Sequence, residues 1–425
     1  METYGCSLND ADSDIMAGVI NREGAEQVFN QEDAEVIIVN TCGVKEPTED
    51  RIIHRLKELS HIGKPVIVAG CLPKISLDRI KRAIPNFAAI HTPQSIYSIP
   101  ASLRAIMAGE SAIIRMSEPG GGPKIDSLRP PPHSVICTIP ICEGCLGNCA
   151  YCAVRFARGG VRSYSIDRIM ELAKQCIKSG YSEIRLTSQD SGVYGHDRGT
   201  NLLRLLQKLD TLSGHHRFRV GMFNPNLVSP FLDDMVRVMA SNHYFNFFHI
   251  PLQSGSNDVL SKMNRHYTVE EWGNAVECIR KTIPQATIAT DVIAGFPGET
   301  ESDFHQTLAT LKEYTPTLVN ISKYGDRPNT EASKSTHKVD TQVKKQRSRK
   351  LTNLVIKLNS ASNRRWVDWI GPVLVTQHGS KGGLMARNPS YVPVIIHNES
   401  ISIGQTVKVK ITEAHRTYLS GTVVT

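Results

Sequence analysis

Short apolar runs that stop in polar or glycine-bearing turns recur along this chain, and helical periodicity fills the gaps between them. "EVIIVNTCGV" (35–44) and "PVIVAGCLPKI" (65–75) are β-rich runs that each end in a Cys beside a Gly. Between them, "KEPTEDRIIHRLKELSHIG" carries apolar residues at helical spacing behind Thr48, a capping residue. Strand, loop, helix and strand in that order predict a parallel sheet across residues 1–115. "SEPGGGPKIDSLRPPPHS" (117–134) is rich in Gly and Pro and reads as a linker, bounded at 116–134.

The pattern resumes over 135–345. "EIRLTSQD", "RFRVGMFNP", "FNFFHIPLQSG", "ATIATDVIAGFPGE" and "PTLVNISKYGDRPN" each read as a strand running into a polar or Gly-rich loop. "SIDRIMELAKQCIKSG" and "TVEEWGNAVECIRKTI" read as helices between them. Repeated strand–loop–helix units predict a partial (β/α) barrel with its chemistry in the loops after the strands; a flavodoxin-like open sheet is the competing reading. A basic helix over 346–363 connects to a β-rich segment, 364–425, that reads as a small β-barrel. The fold class is α/β: an N-terminal parallel-sheet domain, a central partial barrel and a C-terminal small β-barrel.

Composition narrows the setting. Of 425 residues, 40% are hydrophobic and 21% charged, with net charge +8, a mildly basic soluble type that permits nucleic acid as partner. No apolar run reaches about 18 residues, and "METYGCSLND" has no signal-peptide pattern. The expectation is a cytoplasmic protein without a membrane anchor, in a reducing compartment where clustered thiols hold metal more often than they form disulfides. In 364–425 seven Lys/Arg (364, 365, 381, 387, 408, 410, 416) stand against three Asp/Glu (368, 399, 413), net +4. With the run Lys344, Lys345, Arg347, Arg349 and Lys350 they offer phosphate contacts; a solvated helix face is the plainer reading of the run. Tyr391 and Tyr418 are candidates to stack on bases, although β-barrel aromatics are more often core.

"EGCLGNCAYC" holds Cys145, Cys149 and Cys152 at C-x3-C-x2-C spacing. Structural zinc usually takes two C-x2-C pairs, and no matching pair follows. Three thiolates on a four-iron–four-sulfur cluster leave one iron open to a ligand, and this spacing before a barrel is the signature of enzymes that bind S-adenosylmethionine there. Cys142 is a possible fourth ligand, but saturating the cluster would abolish the open iron. Cys137, Cys176 and Cys278 lie in apolar or helical patterns and read as buried packing residues. Cys6, Cys42 and Cys71, each following an apparent strand end beside a Gly, can meet at one sheet edge; three unrelated buried thiols is the alternative.

With all six cysteines in view, the chain resembles the radical methylthiotransferase family over nearly its whole length. "ETYGCSLNDADSDIM", "NTCGVKEPTEDR", "GCLPK", "GCLGNCAYC", "LTSQDSGVYG", "HIPLQSGSNDVLSKMNRHYT", "TDVIAGFPGET" and "KYGDRPNTEA" match its blocks in order. The resemblance implies two four-iron–four-sulfur clusters, one on Cys145, Cys149 and Cys152 with S-adenosylmethionine, and an auxiliary one on Cys6, Cys42 and Cys71 that carries the sulfur to be inserted. It also implies that the C-terminal barrel is a TRAM RNA-binding module. "GCLGNCAYCAVRFARGGVRSYS" looks most like the archaeal and eukaryotic branch, which acts on N6-threonylcarbamoyladenosine beside the tRNA anticodon. The implied partners are the tRNA anticodon stem-loop and a reductant protein. The rivals are isopentenyladenosine in tRNA, a ribosomal-protein aspartate, and a non-catalytic metal-containing RNA-binding protein.

Candidate cofactor contacts in the post-strand loops are Gln189, Asp190, Asn224, Gln253, Ser254, Arg265, Gly295 and Gly298. Arg155, Arg158 and Arg162 are candidates to face the anionic threonyl group of the modified base. By resemblance Glu183 lies on a strand near the cluster. His196 and His249 read as structural. Two departures from the family pattern stand out: only Met1–Tyr4 precede Gly5 where a full strand is usual, and Asn329 replaces a usual Gly.

Overall fold

A computed structural model describes residues 1–28, 30–117, 123–132, 134–398 and 400–424. Its N-terminal sheet has five strands, Glu2–Thr3, Ile37–Thr41, Val66–Gly70, Ala89–His91 and Ile113–Arg115, adjacent in chain order and all parallel. The middle strands are buried throughout and mostly apolar because helices cover both faces: Ile52, Leu56 and Leu59 pack on one side, Ile15, Met16 and Val19 on the other. The chain before Gly5 forms a strand of two residues, paired with Val39 and Asn40. The helix after Cys42 begins at Glu46 with Lys45 at its N-cap, so Thr48 lies inside the first turn and is not the cap.

Six parallel strands form the central domain: Ile136–Pro140, Glu183–Thr187 and Arg217–Val220 make one half, Phe247–His249, Thr287–Ala294 and Leu318–Lys323 the other. They follow chain order, and a Phe218–Tyr244 bridge joins the halves, which selects the partial barrel over the flavodoxin-like sheet. Strand alternation sends Ile184, Leu186, Phe218, Val220, Phe248 and Ile288 into the helix-covered core. Glu183 and Arg185 lie on the opposite face, in register with Arg217 and Arg219. On the facing half His249 Nε2 lies 2.7 Å from Asp291 Oδ2, and Asn320 Nδ2 donates to Asp291 Oδ1 at 3.1 Å. The inward face is therefore polar.

The linker reading needs correction in part. Residues 118–122, its glycine tract, lie outside the described residues. Beyond them Lys124–Ser127 forms a buried turn: Ile125 enters the main core and Lys124 pairs with Glu143 at 2.5 Å. The connecting helix runs Thr341–Arg364. Arg347 is buried against Glu299 at 2.6 Å and so offers no phosphate contact; Lys344 is half-buried, its stem packed on Gly295, and Lys345, Arg349 and Lys350 remain exposed.

Residues 370–423 close a five-stranded barrel. Its Leu374 and Tyr391 share an apolar cluster with Phe245, Phe247 and Ala289 of the central domain. Tyr391, a base-stacking candidate by sequence, is 9% exposed; its hydroxyl donates to Glu183, and the Arg219 guanidinium lies 4.6 Å from the Phe247 ring centroid and 5.1 Å from that of Tyr391. Glu183, at the start of its strand, thus meets the small barrel, at the opposite end from the loop that carries Gln189 and Asp190. Tyr418 is exposed and stacks on His415 at 4.3 Å. Tyr391→Ala would empty a packed site and leave a buried carboxylate short of its donor, so it should cost about 3 kcal/mol in denaturant unfolding. A loss below about 1 kcal/mol would show that Tyr391 does not anchor the barrel.

Candidate functional site

The three upstream thiols stand at the carboxyl ends of three adjacent parallel strands. Cys6 and Cys71 also N-cap the helices Ser7–Asn21 and Leu72–Ala83, where helix dipoles favour anionic sulfur. Gly5 makes the approach possible: it takes φ +126°, and a Cβ there would sit 2.7 Å from Cys42 Cβ. Cys71 N donates to Thr41 O at 2.9 Å, and Asn9 Nδ2 donates to Tyr4 O and Thr41 O at 2.8 and 3.0 Å, tying the strand ends together. Burial pushes the Cys42 thiol up, and the Cys71 thiol up to about 11. Cys6 is exposed and opens the site to solvent.

The second set lies in the loop after Ile136–Pro140. Each of its sulfurs receives an N–H donor: Gly147 N to Cys145 Sγ at 3.2 Å, Arg265 Nη1 to Cys149 Sγ at 3.1 Å, and Val154 N to Cys152 Sγ at 3.4 Å. A Cβ on Gly147 would lie 3.3 and 3.5 Å from the Cys145 and Cys149 sulfurs, so the bare glycine keeps the space between them open. Burial pushes the Cys145 thiol up to about 11 and that of Cys152 up to about 12.

Around this set the loops interlock. Arg265 Nη2 donates to Asn224 Oδ1, Asn224 Nδ2 donates to Asp190 Oδ2 at 2.5 Å, and Gly144 N donates to Gln189 Oε1 at 2.9 Å. Gln189, Asp190, Asn224 and Arg265 therefore converge on the Cys145–Cys152 loop. Gln253 is held at φ +67° with its N–H on Asp291 O at 2.7 Å, a strained backbone of the kind that clusters at functional sites. Ser254 is fully buried, with its hydroxyl 3.4 Å from Thr307 Oγ1, and stabilises the turn. Gly295 packs under Lys344 and is closed to a cofactor ring. Gly298 lines a cleft of about 500 Å³ with Lys262, Phe296 and Ala150, the neighbour of Cys149.

Cys142 is buried in the main core, its sulfur 3.9 Å from Asp190 O, and burial pushes its thiol up. The Cys137 and Cys176 sulfurs lie 2.7 Å apart in the core. Cys278 is only partly buried and donates to Asp233 Oδ1 at 2.9 Å, against the expectation of a core residue. Arg155 and Arg162 are exposed. Arg158 is not: it is 4% exposed and its Nε donates to Cys71 Sγ at 3.1 Å in the upstream thiol site. Sequence reasoning also passed over Asn9 and Asp12, polar residues on an ordinary-looking helix, and Phe156 and Leu146, which lie in or just after the cysteine loop and are 48% and 42% accessible.

Among the described residues no three Cys, His, Asp or Glu side chains stand close enough to share one metal ion. A multi-iron cluster does not need that crowding, because each thiolate binds a separate corner. Three thiols per site, donors on the sulfurs and the space kept by Gly147 fit such a group. No helix among the described residues is long and apolar enough to cross a membrane.

Three family models match separate stretches of the chain. Residues 139–311 match the Radical SAM superfamily, 1–91 the Uncharacterized protein family UPF0004, and 371–424 the TRAM domain. A radical S-adenosylmethionine methyltransferase structure, TsrM from Kitasatospora setae, shares the fold at TM-score 0.58 and 13% identity, over 76% of this chain and 73% of that one. A "Probable threonylcarbamoyladenosine tRNA methylthiotransferase" of Pyrococcus horikoshii is 38% identical over 100% of this chain and 99% of its own length. The Homo sapiens threonylcarbamoyladenosine tRNA methylthiotransferase is 33% identical over 99% of this chain and 73% of its own length. On these grounds the chain belongs to the threonylcarbamoyladenosine tRNA methylthiotransferase family of radical S-adenosylmethionine enzymes.

Proposed function

We propose that this enzyme converts N6-threonylcarbamoyladenosine in the tRNA anticodon loop to its 2-methylthio derivative, with Cys145, Cys149 and Cys152 holding a radical cluster and Cys6, Cys42 and Cys71 holding a second. The observation that carries the reading is the pairing of two three-thiol sites at the carboxyl ends of two strand sets, joined through Arg158. Carbon 2 of adenine has no acidic hydrogen, so acid–base chemistry has no handle on it. Bound at these sites, the clusters and S-adenosylmethionine supply one-electron chemistry able to reach such a carbon, and the sulfur and methyl group to be transferred.

The chain's own residues supply position and polarity. Arg265 holds Cys149 and, through Asn224 and Asp190, fixes the loops that would grip the cofactor. Gln189 fixes the start of the cysteine loop. The inward face bearing His249, Asp291 and Asn320 offers hydrogen-bonding groups to a base edge. Arg155, Arg162 and the exposed cations Lys345, Arg349, Lys381, Lys408 and Arg416 supply phosphate or carboxylate contacts, and Tyr418 on His415 a stacking surface. A separate reductant protein delivers electrons, and the cytoplasm, where tRNA is found, is the place of action.

Expression of the gene in cells that make threonylcarbamoyladenosine but not its methylthio form tests this reading. Nucleosides from their tRNA should gain the 2-methylthio derivative. Gain of methylthio on isopentenyladenosine or on a ribosomal protein instead would replace it.

A further inference from the structure

Arg158 ends the short helix Val154–Arg158 that follows Cys152, yet its side chain lies among the upstream thiols. Nε donates to Cys71 Sγ at 3.1 Å, Nη2 donates to Asn9 Oδ1 at 2.8 Å, and Nη1 pairs with Asp12 Oδ2 at 2.6 Å. Both members of the ion pair are nearly inaccessible, at 1% and 3% of side-chain surface. Glu143, bridged to Lys124 at 2.5 Å and accepting from Tyr164 at 2.6 Å, adds a second buried pair whose charges act on the first. Two cations and two anions balance, so the field at the Cys71 sulfur is set by their order, with the guanidinium nearest.

A buried charge pair is a poor way to gain stability, because desolvation offsets most of the attraction. One placed against a cluster ligand has another use. Donors and positive charge at a cluster's sulfurs stabilise its more negative, reduced state and raise its potential. We propose that Arg158 is a positioning residue that sets the reduction potential of the cluster on Cys6, Cys42 and Cys71 and docks the Cys152 segment against it, so that the two sulfur sites assemble as a unit. The inference rests on the reading that the upstream thiols hold a cluster.

The test uses the full chain carrying Cys145→Ala, Cys149→Ala and Cys152→Ala, reconstituted anaerobically with iron and sulfide, so that the remaining signal belongs to the upstream site. Redox titration is followed by electron paramagnetic resonance. Arg158→Gln should shift the potential negative and Asp12→Asn should shift it positive, each with the background's iron content. Unchanged potentials, or shifts of the same sign in both variants, would reduce Arg158 to a packing residue and overturn the inference. If Arg158→Gln fails to assemble, Asp12→Asn alone decides: a positive shift supports the inference and an unmoved potential overturns it. A background that binds no iron at all would instead overturn the cluster reading beneath it.

Discussion

Protein reconstituted anaerobically with Cys145, Cys149 and Cys152 all replaced by Ala is expected to hold about four irons in place of about eight, and to release no 5′-deoxyadenosine from S-adenosylmethionine. The three sulfurs share one loop, and each receives an N–H donor from Gly147, Arg265 or Val154. Removing them leaves Arg265 without its sulfur partner and the space beside Gly147 without ligands, while the upstream sheet edge stays whole. Cys142→Ala is the control: its sulfur faces Asp190 O in the core, so iron and cofactor cleavage should both stay near the parent values. Loss of the radical cluster in the Cys142 variant would mean that the ligands are misassigned.

Cys71→Ala should behave in the opposite way. Cofactor cleavage persists because the downstream loop is untouched, and the methylthio product falls below detection because the site that presents sulfur is gone. Cys71 is suited to this test. It caps its helix, lies beside Thr41 through its backbone, and accepts from Arg158. Folded Cys71→Ala protein that keeps the radical cluster's iron yet no longer cleaves S-adenosylmethionine would show that the upstream thiols serve another purpose.

The main lines of the fold were legible because periodicity and punctuation agreed. Apolar runs ending at Cys42 and Cys71 became buried parallel strands, and the loops after the barrel strands brought Gln189, Asp190, Asn224 and Arg265 together. Asn329 adopts φ +64°, which accounts for the glycine usual there. What escaped the sequence was partner choice across long separations. "RFARGGVR" looks like a solvated basic stretch, and nothing in it reveals that Arg158 pairs with Asp12 and Asn9, the latter 149 residues away. Arg347 sits in an evidently basic run, but Glu299 and Glu301 draw it inside. Tyr391 reads as a barrel aromatic, and nothing in the sequence says that it sits at φ +64° between the strands Leu384–Arg387 and Pro393–Ile396, covered by another domain. For the same reason, deletion of residues 364–425, which the sequence recommends as a clean test of RNA binding, would expose Phe245 and Phe247 and leave Glu183 without the Tyr391 hydroxyl, with Arg185 its remaining partner. Lys381→Glu or Arg416→Glu, on exposed sites, is the sounder probe.

The most direct measurement gives purified, reconstituted enzyme two tRNAs in one reaction, one carrying threonylcarbamoyladenosine and one isopentenyladenosine, with S-adenosylmethionine and a chemical reductant, and reads the nucleosides by mass spectrometry. An anionic threonyl group offers Arg155 or Arg162 a charge-assisted contact that an isopentenyl group cannot. The expected result is methylthio on the threonylcarbamoyl nucleoside alone; methylthio on the isopentenyl nucleoside alone would contradict the assigned substrate.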